Sequence, residues 1–248
     1  MPGLSVVPIS HIELRFTSYS WPFAQQRRAA IDEHFAAETD KNPALWNGQV
    51  IMLREPAISE GVFRGACFVV DFASFLAWRD WGYPDDSVRD CFAQGALRAA
   101  GGEFLLGENA AHTANPGCIH FPGGMLDLND VVGSTVDLDA SMYREIAEET
   151  GLSKDELVAD QRWYTVLDGP RIAHFKLLYA DETVDALDTR MRAYLARDAR
   201  PELADIRIAR GPADVDPATL PATDAFMRYV WSLEGATRKP IAMKRYEE

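Results

Sequence analysis

Short apolar runs of strand length alternate with longer amphipathic stretches in the first third of the chain. Three runs predict strands: "IELRF", "QVIMLRE" and "FRGACFVVDF". Two stretches predict helices: "PFAQQRRAAIDEHFAAE" and "ASFLAWRDWG". The polar stretch at 83–90 follows them, carries a proline and is typical of a boundary. We therefore predict an N-terminal α/β extension over residues 1–88 and a second domain over residues 89–248.

The second region alternates in the same way. Glycine turns predict two hairpins, one at Gly101-Gly102 and one at 168–170. A short strand in "CIHFPGG", a helix over 186–198 and a strand in "ADIRIAR" are also expected. The stretch "ATDAFMRYVWSLEG" predicts a last helix, with Thr223 or Asp224 as its N-cap and Gly235 at its end.

The order of these elements determines the predicted fold class. Strand runs lie on both sides of the helix in "SMYREIAEETGL", residues 141–152, and the helices do not alternate regularly with the strands. A regular βαβ chain would alternate and form a parallel sheet. We therefore predict an α/β/α sandwich around a mixed sheet.

Composition and charge narrow the functional classes. The chain has 248 residues, 47% of them hydrophobic, so a sizeable core can form. A net charge of −13 argues against nucleic acid or an anionic membrane as partner. Three scattered cysteines, with neither a signal peptide nor a long apolar stretch, favour the cytoplasm. A small anionic substrate would need a positive group at its site.

The acidic helix is the strongest chemical signal in the sequence. At about 100° per residue, Glu145, Glu148 and Glu149 share one face. Arg144 offsets one carboxylate, because Arg144 and Glu148 are four residues apart. Carboxylates are preferred ligands of Mg²⁺ and Mn²⁺, which favours a metal site here. A solvated helix face is the alternative interpretation of the same charges.

The flanking residues favour the metal site over the solvated face. "FPGG", residues 121–124, precedes the helix, and glycines there let the backbone approach a ligand closely. Asp137 is placed to cap the helix, and Gly151 is placed to end it.

"REIAEETGL" resembles the core of the Nudix box, R-E-U-x-E-E-x-G-U, where U is aliphatic. All seven fixed positions match: Arg144, Glu145, Ile146, Glu148, Glu149, Gly151 and Leu152. "FPGG" is similar to the segment that usually precedes this box. The resemblance implies a Nudix-type α/β/α sandwich and hydrolysis of a nucleoside diphosphate linked to another group, X.

The resemblance also implies roles for individual residues. Glu145, Glu148 and Glu149 would bind Mg²⁺ or Mn²⁺ together with the Gly123 carbonyl, and Arg144 would orient the carboxylates. Glu148 or Glu149 is expected to be the general base. Asp181 or Glu182, which follow the strand "FKLLYA", are the alternative bases.

The chain departs from the full Nudix box in one respect. Val136 stands where the box has its first Glu, and the segment between Gly124 and Arg144 is longer than usual. The insertion "LNDVVGS" within this segment is expected to form a loop. Four aspartates are candidates for the missing carboxylate: Asp127, Asp130, Asp137 and Asp139, of which Asp137 and Asp139 are nearest. The departure leaves open a nucleotide-binding or regulatory module without hydrolysis.

Weaker resemblances bear on the group X. The extension is loosely similar to the UDP-glucose pyrophosphatase type of Nudix protein, which favours a nucleotide sugar. Coenzyme A or a dinucleotide is the alternative, although the arginines of the coenzyme A motif are absent. His112, Asn115 and Gly124 are candidate substrate-binding residues, and relatives often form homodimers. His120 and His174 alternate with apolar residues, so we expect both to be buried in the sheet.

Overall fold

A computed structural model describes residues 4–237, which form thirteen strands and six helices. The strands are β1 (Ser5–Ile9), β2 (His11–Phe16), β3 (Gln49–Ser59), β4 (Val62–Asp71), β5 (Val88–Arg98), β6 (Phe104–Asn109), β7 (Ile119–His120), β8 (Val131–Val132), β9 (Thr135–Val136), β10 (Val158–Ala159), β11 (Trp163–Asp168), β12 (Arg171–Tyr179) and β13 (Leu203–Ala209). The helices are α1 (Pro22–Gln26), α2 (Arg28–Lys41), α3 (Phe72–Asp80), α4 (Leu138–Thr150), α5 (Val184–Leu195) and α6 (Pro221–Thr237).

All strands belong to one mixed sheet. Its main path runs β1-β11-β12-β5-β3-β4-β2-β9-β8, and β6, β7, β10 and β13 pair beside that path. The β12–β5 and β2–β4 pairs are parallel, whereas the other pairs in the sheet are antiparallel. The predicted mixed sheet is confirmed.

Helices cover both faces of the sheet. Along β12, Ile172 and Leu178 pack in one cluster with α4 and α5, whereas Phe175 packs in another with Phe226 of α6. Successive strand residues point to opposite faces, so these helices lie on opposite sides. The predicted α/β/α sandwich is confirmed.

Strand β5 is shared between the two parts of the sheet. Its first residues pair with β3, through Arg89 opposite Leu53, and the rest pairs with β12 from Asp90 onward. The predicted boundary at residue 88 therefore falls where this strand begins. Strand β1, from the N-terminal region, pairs with β11 in the second region. The division into two domains stays a prediction, and backbone hydrogen bonds cross it.

The acidic helix α4 begins and ends as predicted. The Asp137 side chain accepts a hydrogen bond from the Ala140 N–H group at 2.9 Å. Gly151 ends the helix with φ 71°, a left-handed conformation that favours glycine. Met142 and Ile146 bury the apolar face. Capping at both ends thus fixes which residues of α4 face the sheet.

Four details differ from the sequence predictions. The first predicted helix is broken at Arg27 into α1 and α2. Helix α6 begins at Pro221, because proline suits a first helical turn, so Thr223 and Asp224 lie inside the helix and the predicted N-cap is wrong. Gly235 is also helical, so the predicted end is wrong. The segment before α4, expected to be a loop, forms the β8–β9 hairpin.

Within residues 4–237, no helix is both long enough and apolar enough to cross a bilayer.

Candidate functional site: a carboxylate cluster at the end of a cavity

Helix α4 buries two of its three glutamates. Glu145 is 8% exposed and Glu149 is 7% exposed, whereas the Glu148 side chain is 61% exposed. Buried carboxylates require hydrogen bonds or a cation. A solvated helix face would leave all three in water, so the burial of Glu145 and Glu149 argues against that interpretation.

The glycine turn before α4 lies directly against these carboxylates. The Gly123 N–H group donates to Glu149 Oε2 at 3.2 Å. A Cβ atom on Gly124 would lie 2.6 Å from the Glu145 carboxylate carbon, and one on Gly123 would lie 2.4 Å from the Ala93 carbonyl oxygen. Neither position has room for a side chain. The turn is therefore glycine-rich because the backbone must approach both β5 and the helix.

Arg144 orients the cluster from its other side. Its guanidinium donates to Glu145 Oε1 at 2.6 Å and approaches Glu148 Oε2 at 3.5 Å. It also donates to both carboxylate oxygens of Asp130, at 3.0 and 3.3 Å. Asp130 is 2% exposed, and its Oδ2 accepts from the Asp127 N–H group at 3.0 Å. Arg144 is therefore fixed between a buried aspartate and the helix glutamates.

The environment disfavours negative charge on the buried glutamates. Burial raises the pKa of Glu145 to about 7, against the opposing effect of Arg144. Burial, with Glu145 and Glu202 adding like charge, raises the pKa of Glu149 well above its usual value. A cation at this position would reverse the effect, because it stabilises the ionised carboxylates.

The residues suit a divalent metal in chemistry but are not closed around one. Carboxylate oxygens are the donors that Mg²⁺ and Mn²⁺ prefer. Glu202 is close enough to Glu145 and Glu149 to help raise the pKa of each. In the part of the chain that the structure describes, however, no three acidic, histidine or cysteine side chains are gathered so as to hold an ion. The donor set fits, and these side chains would have to close around the ion.

A cavity of ≈ 230 Å³ opens beside the carboxylates. Glu149, Glu202 and the glycine turn lie at its wall, and Arg79 and Arg171 bring positive charge to it. Its aromatic lining residues are Phe72, Phe75, Tyr83 and Phe92. Both the N-terminal region and the second region thus contribute to the cavity.

Strand β5 brings three side chains into this cavity at alternate positions: Asp90, Phe92 and Gln94. Alternate residues share a face of a strand, so they form one wall. Burial raises the pKa of Asp90 to about 6, while Arg171 and Arg79 act in the opposite direction. The cavity therefore combines cations, a carboxylate and aromatic rings.

The predicted substrate-binding residues lie in different positions. Asn115 and Gly124 line the cavity. His112 is not among the lining residues. Its carbonyl group accepts a hydrogen bond from the Asn42 side chain at 3.3 Å, which joins the loop after β6 to the end of α2.

The candidate replacement acids lie away from the cavity. Asp137 caps α4, and Asp139 lies 3.2 Å from Lys176 Nζ. Asp181 is exposed, and Glu182 pairs with Arg190 at 2.7 Å. None of the four lines the cavity. Among the aspartates considered from the sequence, Asp130 is the one that contacts Arg144.

Sequence reasoning missed Glu202, Arg79 and Arg171. Glu202 precedes β13 and is brought near the cavity because its carbonyl accepts from the Ala110 N–H group at 2.8 Å. Arg79 is in the last turn of α3, and Arg171 begins β12. No local motif marks these residues, since their proximity depends on how strands pair.

Both predicted sheet histidines are buried, as expected. His120 lies with Nδ1 2.7 Å from the Phe121 carbonyl oxygen and Nε2 2.9 Å from Asn109 Oδ1, and its edge reaches the cavity. His174 is fully buried, with Nδ1 2.8 Å from Thr165 Oγ1. Burial lowers the pKa of both, to about 3 for His174. Both imidazoles are therefore neutral near pH 7.

The chain is similar to solved structures of Nudix hydrolases. The Nudix hydrolase RenU of M. smegmatis matches 58% of this chain and 87% of its own, at 18% identity and a TM-score of 0.40. An Ap4A hydrolase of C. elegans, solved as a binary complex, aligns with 59% of this chain over 96% of its own length, at 17% identity and a TM-score of 0.40. A Nudix hydrolase of Nitrosomonas europaea aligns with 64% of this chain over 97% of its own length, at 12% identity and a TM-score of 0.35. No protein-family model matches the sequence, and no curated protein is significantly similar to it.

Proposed function

We propose that this protein is a hydrolase that cleaves the phosphoanhydride bond of a nucleoside diphosphate linked to another group, with Mg²⁺ or Mn²⁺ as cofactor. One observation carries the proposal. Glu145 and Glu149, matching the Nudix box, are buried against the Gly123-Gly124 turn, and Glu149 lines a cavity that Arg79 and Arg171 also line. Buried acids facing cations in a cleft are typical of a functional site.

The two arginines address the charge of the substrate. The protein carries a net charge of −13, which repels a diphosphate. Arg79 and Arg171 place positive charge inside the cavity and are 26% and 31% exposed in their side chains. Arg171 also pairs with Asp168. We expect these guanidinium groups to bind phosphate oxygens, for which their planar donors are suited.

Glu145, Glu148 and Glu149 would hold the cation, with the Gly123 carbonyl as a further donor. A bound divalent cation supplies positive charge for the phosphate oxygens and lowers the pKa of an attacking water. Arg144 acts on the same glutamates. By holding Glu145 at 2.6 Å and Asp130 at 3.0 Å, it restricts the rotation of the carboxylate that points at the glycine turn.

The reaction requires a base for the water. The water oxygen forms a bond to one phosphorus, the bridging P–O bond breaks, and a proton passes to a carboxylate. Glu149 is the first candidate, because it is the helix glutamate that lines the cavity. Glu202 at the cavity wall is the second. Each turnover yields a nucleoside monophosphate and the phosphate of X.

A nucleotide sugar such as UDP-glucose is the proposed substrate class. Support comes from the likeness of the extension noted in the sequence and from amides at the cavity wall that suit sugar hydroxyl groups. These amides belong to Gln94, Asn109 and Asn115. Amide groups both donate and accept hydrogen bonds, as hydroxyl groups require.

A nucleotide-binding module without hydrolysis is the second candidate. It is favoured by Val136, which is 7% exposed within the core, where the full box has a carboxylate. Such a module would bind nucleotides without turnover in either metal.

The deciding experiment measures product release from a panel of diphosphates with Mg²⁺ or Mn²⁺. The panel holds UDP-glucose, ADP-ribose, NADH, coenzyme A, dinucleoside polyphosphates and nucleoside triphosphates. Glu148→Gln is run beside the wild type. Turnover of one class that falls by orders of magnitude in Glu148→Gln supports the proposal. If no compound of the panel is hydrolysed although nucleotide still binds, the binding module is supported. Full activity in Glu148→Gln contradicts the assigned site.

We also propose a cellular location, a class of ligand and an oligomeric state. We place the protein in the cytoplasm because Cys67, Cys91 and Cys118 are free thiols. A small molecule is its partner, and the charge argues against nucleic acid. A homodimer is compatible with the family resemblance, and sedimentation at micromolar concentration would test it.

A further inference from the structure

A second, larger cavity adjoins the candidate active site. This groove has a volume of ≈ 980 Å³ and is lined by the β3 segment 56–58, Phe63, the loop 82–89 and the β11–β12 turn at 167–172. Tyr83 and Arg171 line both the groove and the smaller cavity. The two spaces are therefore neighbours that share a wall.

The smaller cavity alone is too small for the proposed substrate. Ligand pockets that enclose a drug-sized molecule usually measure about 300–1,000 Å³. The smaller cavity has ≈ 230 Å³ and the groove has ≈ 980 Å³. A nucleoside diphosphate bound at Glu149 must therefore extend beyond the smaller cavity, and the groove offers the room.

The two spaces meet where β5 begins. Arg89 lines the groove and Asp90, Phe92 and Gln94 line the smaller cavity, since successive strand residues point to opposite faces. Gln94 lies against Gly123. At about 3.3 Å per strand residue, roughly 10 Å separate Asp90 from the residues beside Gly123. An extended ribose and diphosphate would cross this interval between the groove and the acidic helix.

The wall between the spaces is conformationally unusual. Tyr83 has φ 61° and follows Gly82 at φ 79°. A bulky residue in this left-handed region is strained, and such residues cluster at functional sites. The Tyr83 N–H group donates to the Trp78 carbonyl at 2.8 Å, and its ring packs edge-on to Trp78 at 4.8 Å. These contacts hold the phenol ring at the boundary of the two spaces.

We propose that the groove binds the nucleobase of the substrate, with Tyr83 and Arg171 at the passage to the diphosphate. This assignment rests on the proposed function. The groove is lined mainly by apolar groups, among them the partly exposed Ile58, Leu167 and Pro170, which suit the faces of a flat heterocycle.

The polar side chains of the groove suit a base. Three carboxylates line it, those of Asp85, Asp86 and Asp168, against the guanidinium groups of Arg89 and Arg171. Three carboxylates and two arginines also line the smaller cavity, so charge does not separate the two spaces. A neutral base presents N–H groups that the carboxylates of the groove can accept, and the proposed metal-binding Glu149 places the diphosphate in the smaller cavity.

The test blocks the groove without touching the carboxylate cluster. Ala57→Trp places an indole at an exposed groove position, and Ile58→Trp is a second variant at a side chain already 37% exposed. Ala37→Trp, on the exposed face of α2 and lining neither space, is the matched control. Calorimetry with Mg²⁺ measures Kd for UDP, ADP and inorganic pyrophosphate.

We expect Ala57→Trp to weaken binding of UDP or ADP at least tenfold and to change that of pyrophosphate less than twofold. Ala37→Trp should match the wild type. Equal affinities for nucleoside diphosphate in Ala57→Trp and wild type overturn the groove assignment, as does equal weakening of pyrophosphate. A wild type that binds pyrophosphate but no nucleoside diphosphate also overturns it. If the variants change nucleotide affinity as expected but the wild type hydrolyses nothing, the hydrolase proposal is overturned and the groove assignment is supported.

Discussion

His174 makes the stability of this protein depend on pH in a calculable way. The imidazole is fully buried on β12, with Nδ1 2.8 Å from Thr165 Oγ1 and its ring edge-on to Phe63 at 4.6 Å. Its Nε2 atom has no hydrogen-bond partner among the described residues. Burial lowers its pKa to about 3. The folded protein therefore excludes the proton that the unfolded chain accepts below about pH 6.5.

The sign and size follow from proton linkage. The free energy of unfolding has its full value, as far as His174 is concerned, above pH 6.5. It decreases as the pH falls from 6.5 toward 3, because only the unfolded chain binds the proton in this range. Because one pKa unit corresponds to ~1.4 kcal/mol, the loss at pH 5 is about 2 kcal/mol. His174→Gln removes the titration while keeping a side chain that can pair with Thr165.

The assay is urea unfolding of wild type and His174→Gln at pH 8 and pH 5. The loss of ring contacts lowers the free energy of unfolding of the variant by the same amount at both pH values. This amount cancels when the difference between pH 8 and pH 5 is taken for each protein. Between the two pH values, the free energy of unfolding should fall by about 2 kcal/mol more in the wild type than in the variant. Equal pH dependence in both proteins would refute the reasoning, because it would mean that the buried imidazole is protonated at no cost.

Three other substitutions test the supports of the acidic helix, each measured by urea unfolding. Asp130→Ala should lower the free energy of unfolding by about 2–3 kcal/mol, because it removes charged hydrogen bonds to Arg144; a change near zero would show that the pair adds nothing. Gly151→Ala should cost roughly 1–2 kcal/mol for the left-handed conformation alone, and more because the new Cβ would lie 2.4 Å from the Tyr194 ring; a stabilised variant would contradict this. Val136→Glu should lower stability by roughly 3 kcal/mol or more, because it buries an unpaired carboxylate, and should not raise hydrolysis in the panel assay; a faster, equally stable variant would show that the full box can be restored.

Local signals predicted the acidic helix well. Asp137 and Gly151 bound α4 as expected, because capping and left-handed termination depend on a few adjacent residues. The strand pair at 163–179 was predicted for the same reason, since its turn lies between two apolar runs. The N-cap of α6 was predicted wrongly, because the helix begins at Pro221, before the hydroxyl and carboxylate residues that we expected to cap it.

The rest of the candidate site depends on contacts between distant segments. Arg79 and Arg171 are 92 positions apart (171 − 79) and share a cavity only because β5 brings their segments together. Asp137 was a nearer candidate than Asp130 in the sequence, but the β8–β9 hairpin between them places Asp130, not Asp137, beside Arg144. No spacing rule contains this information.

The shared strand β5 also bears on how such a protein can arise and be divided. With β1 paired to β11 and β3 paired to β5, the first 88 residues are woven into the sheet instead of hanging beside it. Cutting the gene at that point would leave two fragments with open strand edges, each prone to aggregate. We therefore expect the N-terminal region and the acidic helix to fold together, and neither fragment to fold when it is expressed alone.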